Sequence, residues 1–305
     1  MIKESTNTRP LLGFAVAFIG SILFSTKAII VKKAFADEHV DALTLLMIRM
    51  LFSLPFYLVT AVYIFRQSSN VRMTTKDWLI TIGLGLFGYY LSSLLDFIGL
   101  QYISAGLERL ILFLYPSFVV LINAFVFGQK ITGIQKLALL LSYTGIGIAY
   151  FGELKFDTSN PNFYLGSLMV FLCSITYAIY IAGSGKMVPK IGPGKFTTYA
   201  LLTSTAAVFG HYAIRGEFHA FQQSMDLWWY GVLLAVVATV LPTFMLGYSI
   251  KKIGSSSVAI ISSIGPVSTI LQAHYVLGER IFTEQIIGTV LVLIGVLLLA
   301  VKFKK

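Results

Sequence analysis

The sequence predicts an all-α integral membrane protein with ten transmembrane helices, arranged as two inverted five-helix repeats. Three observations predict it: the scarcity of charge, a series of long apolar stretches, and self-similarity at an offset of 150 residues. Of the 305 residues, 57% are hydrophobic and 12% are charged, whereas a soluble domain carries about 25% charged residues. Because one helix needs roughly 20 apolar residues to cross a bilayer, ten spans occupy nearly the whole chain.

Ten apolar stretches follow one another along the chain, separated by short clusters of charged and turn-forming residues. They cover residues 11–33, 41–65, 77–102, 104–127, 134–152, 163–183, 195–214, 227–250, 255–277 and 285–302. Each is too long and too continuously apolar for a strand of a membrane barrel, in which polarity alternates. Lys3 and Arg9 precede the first stretch as in a secretory signal, but Lys27 and Lys32 crowd the cleavage region, so we expect this stretch to be retained as a helix.

A duplication is indicated when the chain is compared with itself at an offset of 150 residues. Without a gap, this offset pairs Pro116 with Pro266, Gly128 with Gly278, Ile131 with Ile281, and Gln135 with Gln285. Chance explains matches among apolar residues in a biased composition, but not these pairs. We therefore expect a first five-helix repeat at 1–152, a second at 163–305, and a short extracytoplasmic linker at 153–162. An odd number of helices per repeat inverts the second copy in the membrane.

The distribution of Lys and Arg predicts the topology. With the N-terminus inside, the inside segments carry 15 of the 23 basic residues, the outside loops carry 5 and the helices carry 3. Such residues concentrate on the cytoplasmic side, so we expect a multi-pass protein of the cell membrane with both termini in the cytoplasm. The net charge of +10 is spread over many short loops, which argues against a nucleic-acid-binding face.

Duplicated joints carry different charge, as inversion requires. The joint at 101–106 has no basic residue, whereas its copy at 251–256 contains Lys251 and Lys252. The joint near residue 130 has two lysines, whereas its copy has Arg280 flanked by glutamates. Equivalent joints therefore belong on opposite sides of the membrane.

The segment GLQYISAGLER at 99–109, continuing to Tyr115-Pro116, resembles the drug/metabolite transporter superfamily, in particular the EamA-type permeases. The resemblance covers essentially the whole chain, and Arg49 and the Gly-x-x-Ile joints fit it. It implies a secondary transporter, often an exporter, of amino acids, nucleosides or other metabolites, which works without ATP hydrolysis. The first helix departs from the pattern, because many members carry Trp where Phe24 stands and a small polar residue near Lys27.

Five charged residues inside the predicted helices stand out as candidates: Lys27, Arg49, Asp96, Glu108 and Arg109. A charge in the middle of the bilayer costs about 3 kcal/mol even on the lenient insertion scale, and such residues usually face the interior of the bundle. Two interpretations remain open. In one, the five form an outward-facing vestibule that attracts a zwitterionic or anionic solute. In the other, Lys27 and Arg109 extend to the membrane interface and the rest form a structural lock.

Proton coupling is a further alternative, because Asp96 and Glu108 are carboxylic acids inside the membrane. Desolvation favours the protonated form of such groups, whereas a neighbouring Arg or Lys favours the ionised form. The sequence does not decide between these opposed effects.

The second repeat contributes polar aromatic residues rather than acids. Tyr177, Tyr180 and His274 are candidates for the substrate pathway, with an interfacial or core position as the alternative for each. Pro116 and Pro266 lie at equivalent positions in the middle of their spans, where they predict helix kinks. Transporter sites often lie beside such interrupted helices.

The leading functional hypothesis is a permease or exporter of a small metabolite, such as an amino acid or a related polar compound. It would work by alternating access through a central cavity between the repeats. The rivals are a membrane sensor or receptor and an intramembrane enzyme. We find no Gly-x-Ser-x-Gly motif, no His-Glu-x-x-His motif and no metal-ligand spacing, so we expect no enzyme, metal or cofactor. The expected partners are a small solute, the lipid bilayer and, in one alternative, protons.

Overall fold

The computed structural model describes residues 8–66, 71–156, 160–216, 224–253 and 255–300. Within these ranges the regular secondary structure is helical and contains no strands. The ten helical segments are α1 Thr8–Glu38, α2 Ala42–Arg66, α3 Thr75–Leu100, α4 Ala105–Phe127, α5 Gly133–Phe156, α6 Phe163–Ile191, α7 Pro193–Arg215, α8 Met225–Ile253, α9 Ser255–Ser262 and Gly265–Leu277, and α10 Thr283–Ala300. The predicted all-α fold is confirmed.

Eight of these helices are long and apolar enough to cross a membrane, counted over the described ranges: α1 to α6, α8 and the later part of α9. α10 is apolar but shorter. The surface of the bundle is apolar, as contact with lipid requires. On α2, for example, Val59 is 70% exposed whereas Arg49 is only 6% exposed. Apolar side chains face outward and polar ones face the interior, as expected for a multi-pass membrane protein.

The two halves of the bundle share irregularities of the backbone at equivalent positions. α3 contains a π-helical turn at Leu86–Leu91 and α8 contains one at Val236–Val240. α4 is interrupted at 113–114 and α9 at 263–264. Each pair is separated by the same offset of 150 residues that relates the sequence matches. The internal repeat is therefore present in the fold as well as in the sequence.

Helix packing follows the repeat. α1 packs against α8 and α9, and its counterpart α6 packs against α3 and α4. α2 packs against α7, and α5 against α10, so these helices contact their own equivalents. A pseudo-two-fold relationship describes the contacts, and the first helix of each repeat inserts into the other repeat. Residues from both halves consequently meet at the centre of the bundle.

Glycine allows α5 and α10 to approach closely. A Cβ atom on Gly145 would lie 2.6 Å from the carbonyl oxygen of Gly288, which is closer than real Cβ atoms come to backbone. A Cβ atom on Gly295 would lie 2.8 Å from the carbonyl oxygen of Ala138, the equivalent contact in the other direction. Small residues at such contacts are typical of membrane helix pairs.

Several helices extend beyond the predicted stretches. α1 continues to Glu38 and α6 to Ile191, because polar residues at a helix end can remain helical where they leave the lipid. The division into repeats at 1–152 and 163–305 stays a prediction. Part of the predicted linker at 153–162, residues 157–159, lies outside the described residues.

Candidate functional site

A buried ionic cluster joins three helices of the first repeat. The Nζ atom of Lys27 in α1 lies 2.6 Å from Oδ2 of Asp96 in α3 and 4.0 Å from Oε1 of Glu108 in α4. The two acids are 1% and 0% exposed. A short turn at 101–104 connects α3 to α4, and it brings both carboxyl groups within ion-pair distance of Lys27. We call these three residues the ionic cluster.

Arg109 lies next to the ionic cluster but makes different contacts. Its guanidinium donates hydrogen bonds to Thr269 Oγ1 at 3.2 Å, to Ser25 Oγ at 3.2 Å and to the carbonyl oxygen of Phe24 at 3.4 Å. It also lies 5.6 Å from the centre of the Phe24 ring. Thr269 belongs to the second repeat and lies in α9, after the interruption of that helix. Arg109 therefore connects the two repeats through a hydrogen bond.

Arg49 in α2 begins a line of buried polar groups. Its guanidinium lies 5.6 Å from the centre of the Phe97 ring. Arg49 Nε, Ser53 Oγ and Tyr57 Oη are all buried. Among the described residues none has a hydrogen-bond partner outside this group, and the hydroxyl groups of Ser53 and Tyr57 lie close to each other. Residues four and eight positions apart lie on one face of a helix, so these groups form one polar line along α2.

A cluster of tyrosines lies between the repeats. Tyr177 and Tyr180 in α6 stack with ring centres 6.0 Å apart. The Tyr180 hydroxyl donates to the Tyr89 hydroxyl at 3.1 Å, and those two rings are 4.8 Å apart. Tyr115 packs edge-on against Tyr177 at 5.0 Å. Arg49 interacts electrostatically with Tyr89, which places the polar line of α2 beside this tyrosine cluster.

A cavity of about 550 Å³ opens beside the turn between α3 and α4. Its lining includes Lys32, Tyr102, Glu153, Asn160, Glu279 and Arg280. We call it the turn cavity. Residues of both repeats line this cavity.

Two carboxylates at the turn cavity cap the first turn of α4. Glu153 accepts hydrogen bonds from the backbone N–H of Ser104 at 3.2 Å and from its hydroxyl at 2.7 Å. Glu279 accepts from the backbone N–H groups of Ala105 at 2.9 Å and Gly106 at 3.4 Å. Negative charge at this position is favoured by the helix dipole. The two acids therefore hold the start of α4, the helix that carries Glu108.

The structure brings together most of the residues that the sequence singled out, and their functional roles stay predictions. Lys27, Asp96 and Glu108 are in contact, as are Tyr177 and Tyr180.

His274 lies apart from both groups. It is exposed near the end of α9, where Nδ1 is 2.9 Å from the carbonyl oxygen of Glu279. Pro116 and Pro266 lie in the first turn of the helices that resume after the two interruptions. Proline is well suited to that position, because its missing N–H group is not needed there.

Sequence reasoning missed the polar line and the capping acids. The spacing of Arg49, Ser53 and Tyr57 by four residues was visible in the sequence and is the pattern that would have identified the polar line. Glu153 and Glu279 stand at the ends of apolar stretches, where a charged residue ordinarily marks only the membrane boundary. Their capping of α4 depends on contacts between residues far apart in the chain.

Comparison with known proteins decides the family. The model of the EamA-like transporter family matches residues 11–151 and again residues 164–301. The chain belongs to the EamA-like transporter family. Both halves match the same model, in agreement with the repeated backbone irregularities.

Similar proteins occur in bacteria and archaea. The uncharacterized transporter YcbK of Bacillus subtilis (strain 168) is 33% identical over 283 residues, covering 90% of this chain and 88% of the relative. The uncharacterized transporter YyaM of the same strain is 24% identical and covers 81% of each chain. An uncharacterized transporter of Archaeoglobus fulgidus is 22% identical and covers 74% of this chain and 78% of its own length.

A solved crystal structure shares the fold, with a TM-score of 0.63 at 16% identity over 96% of each chain. The family, the relatives and the membrane-spanning helices together identify this EamA-family protein as a membrane transporter.

Proposed function

We propose that this EamA-family protein is a secondary transporter that moves a small polar metabolite by alternating access between its two repeats. The observation that carries the proposal is the ionic cluster of Lys27, Asp96 and Glu108 inside a membrane transporter. Buried charges of this kind are costly and usually line a solute or ion pathway. In this proposal the protein lies in the cell membrane with both termini in the cytoplasm.

The packing of the helices supports alternating access. α1 and α6 each insert into the opposite repeat, so a tilt of one repeat against the other changes contacts on both sides of the membrane. The π-helical turns and the interruptions next to Pro116 and Pro266 supply equivalent points of bending in each half. Two related units with the same bending points give two exchangeable arrangements around one central site.

Proton coupling at Glu108 is a second part of the proposal. Lys27 lies 2.6 Å from Asp96 but 4.0 Å from Glu108. Neither carboxyl oxygen of Glu108 accepts a hydrogen bond from an N–H donor or a hydroxyl group among the described residues, and the carboxyl group of Asp96 lies beside it. A small movement of Lys27 therefore exchanges its partner, and Glu108 gains or loses its compensating cation. Proton binding at Glu108 that follows this movement would couple a proton gradient to transport.

The test is solute flux in proteoliposomes that contain the purified full-length chain. A mixture of amino acids, nucleosides and organic acids is added, and mass spectrometry measures which compounds cross. We expect at least one compound class to cross, and we expect Lys27→Met to slow that flux at least tenfold because it leaves two buried acids without their ion-pair partner. Lys33→Met is the matched control, because Lys33 lies on the same helix in an exposed ion pair.

A pH gradient separates transport from proton coupling. With the transported compound in hand, Glu108→Gln should leave exchange intact while it abolishes the acceleration by an imposed gradient. Gradient dependence equal to that of the wild type would contradict coupling through Glu108. No flux of any compound in the wild-type protein would contradict transport of these solute classes.

A further inference from the structure

The polar line on α2 is built into the interior of the bundle rather than exposed at its surface. Arg49, Ser53 and Tyr57 are 6%, 0% and 7% exposed. Neighbouring residues on the other face of α2, such as Phe56 and Val59, are exposed apolar side chains. Burying the Nε atom of Arg49 and two hydroxyl groups with no hydrogen-bond partner outside this group costs free energy. A protein keeps such an unfavourable arrangement where a bound ligand supplies the missing hydrogen-bond partners.

The distribution of charge indicates the sign of that ligand. Lys27 is compensated by Asp96 at 2.6 Å and by Glu108 at 4.0 Å. Arg109 donates to Thr269, Ser25 and a backbone carbonyl. Within the described ranges, Arg49 has no carboxylate within ion-pair distance, and its neighbour is the ring of Phe97. Three cations therefore face two acids, and Arg49 is the cation that makes neither an ion pair nor a hydrogen bond among the described residues, although Asp96 acts on it electrostatically at longer range.

The surroundings of Arg49 indicate the shape of the ligand. Arg49 lies close enough to Tyr57, Asp96 and Tyr89 to interact electrostatically with each of them. Tyr89 continues into the stack of Tyr180 and Tyr177 through a hydroxyl contact of 3.1 Å and a ring contact of 6.0 Å. Guanidinium and hydroxyl groups donate to the oxygens of a carboxylate. The faces of the tyrosine rings pack against a flat, apolar group.

We propose that Arg49, Ser53 and Tyr57 form a subsite for the carboxylate of a monoanionic metabolite whose planar or aromatic body lies against Tyr89 and Tyr180. This inference rests on the proposed transport function and names the substrate class for it. A single negative charge balances the single excess cation, which disfavours dianions such as phosphate esters. A zwitterionic amino acid leaves the excess charge in place.

Binding of simple probes to the purified chain in detergent tests the subsite without knowledge of the natural solute. The probes share a phenyl ring and differ in charge: benzoate, phenylalanine, benzylamine and phenyl phosphate. We expect benzoate to raise the melting temperature and to bind most tightly by calorimetry. Tighter binding of phenylalanine or of phenyl phosphate than of benzoate would overturn the assignment of a monoanion.

Three variants connect the binding to Arg49 and its neighbours. Arg49→Met should weaken benzoate binding at least tenfold, while it raises the melting temperature of the ligand-free protein because it removes an uncompensated buried charge. Arg49→Lys keeps the charge but loses the planar donor pair and should bind with intermediate affinity. Tyr57→Phe should weaken binding several-fold. Arg66→Met, at the exposed end of the same helix, is the matched control and should bind benzoate like the wild type.

The outcomes separate this inference from the proposed function. If Arg49→Met binds benzoate like the wild type, or if it lowers the ligand-free melting temperature with unchanged affinity, the subsite is wrong. Flux of metabolites that do not compete with benzoate would overturn the subsite and leave transport intact. Arg49-dependent binding of benzoate, together with no flux of any tested metabolite, would support the subsite and contradict transport.

Discussion

The two repeats have the same backbone but carry different chemistry. A Cβ atom on Gly13 would lie 2.8 Å from Ile253 Cγ2, and one on Gly166 would lie 3.0 Å from Ile103 Cγ2, so equivalent glycines make equivalent contacts in both halves. The charged residues that stand out within the helices, in contrast, all lie in the first repeat: Lys27, Arg49, Asp96, Glu108 and Arg109. The repeat offset of 150 residues pairs Asp96 with a leucine at 246 and Glu108 with a valine at 258.

This difference separates what the fold requires from what the function requires. Both copies keep the bends, the close glycine contacts and the left-handed glycines Gly128 and Gly278, with φ of 67° and 70°. These features fix how helices pack, and packing must be alike for the halves to fit together. The ionic cluster is present in the first repeat only, so the pathway through the molecule is chemically asymmetric although its framework is nearly symmetric.

The largest effect is expected from a test of the inverted arrangement of the repeats. Lys130 and Arg280 are exposed and occupy equivalent joints. With Cys173 replaced by alanine, we introduce a single cysteine at one of these positions and treat intact cells with a maleimide that cannot cross membranes. Position 280 should react fully, and position 130 only after the cells are opened. Equal labelling of both positions in intact cells would contradict inversion.

A smaller effect is expected when a residue of the first repeat is replaced by the residue type at the equivalent position of the second repeat. Asp96→Leu leaves Lys27 with Glu108 alone, 4.0 Å away. We expect a loss of about 3 kcal/mol in the free energy of unfolding in detergent, since removal of one partner leaves a buried charge poorly compensated. Adding Lys27→Met to this variant should restore most of the stability.

The control for Asp96→Leu is Glu284→Gln, at a pair with Lys155 that is exposed and 3.9 Å long. It should change the free energy of unfolding by less than about 1 kcal/mol. If Asp96→Leu is as stable as the wild type, the ionic cluster does not hold the first repeat together.

The smallest effect concerns a feature that both repeats share. Gly145→Ala places a Cβ atom 2.6 Å from the carbonyl oxygen of Gly288, and we expect a loss of about 2 kcal/mol in the free energy of unfolding from the enforced separation of α5 and α10. Gly147→Ala is the control, because its Cβ atom meets nothing within 4 Å. Equal stability of the two variants in detergent would show that α5 and α10 can move apart without a loss in the free energy of unfolding.

Contacts between residues far apart in the chain explain which features of the site could not be predicted from the sequence. The sequence identified Lys27, Asp96 and Glu108 as unusual because a charge inside an apolar stretch is conspicuous by itself. It did not show that Lys27 pairs with Asp96 more closely than with Glu108. It also grouped His274 with the pathway. In the structure that side chain is exposed near the end of α9, and its place in the pathway stays a prediction.

By itself the sequence determined the number and approximate limits of the helices, the repeat, and which residues carry charge within the membrane. These properties depend on local composition and spacing, because a bilayer requires roughly 20 apolar residues for each crossing. Only the tertiary structure decided which charges compensate one another and which remain without a partner. Arg49 and Arg109 are both arginines within apolar stretches, yet Arg109 donates to Thr269 of the other repeat, whereas in the described parts of the chain no carboxylate lies within ion-pair distance of Arg49. The physical reason is that the environment of a buried charge is set by residues far away in the chain, and their positions are determined only when the helices pack.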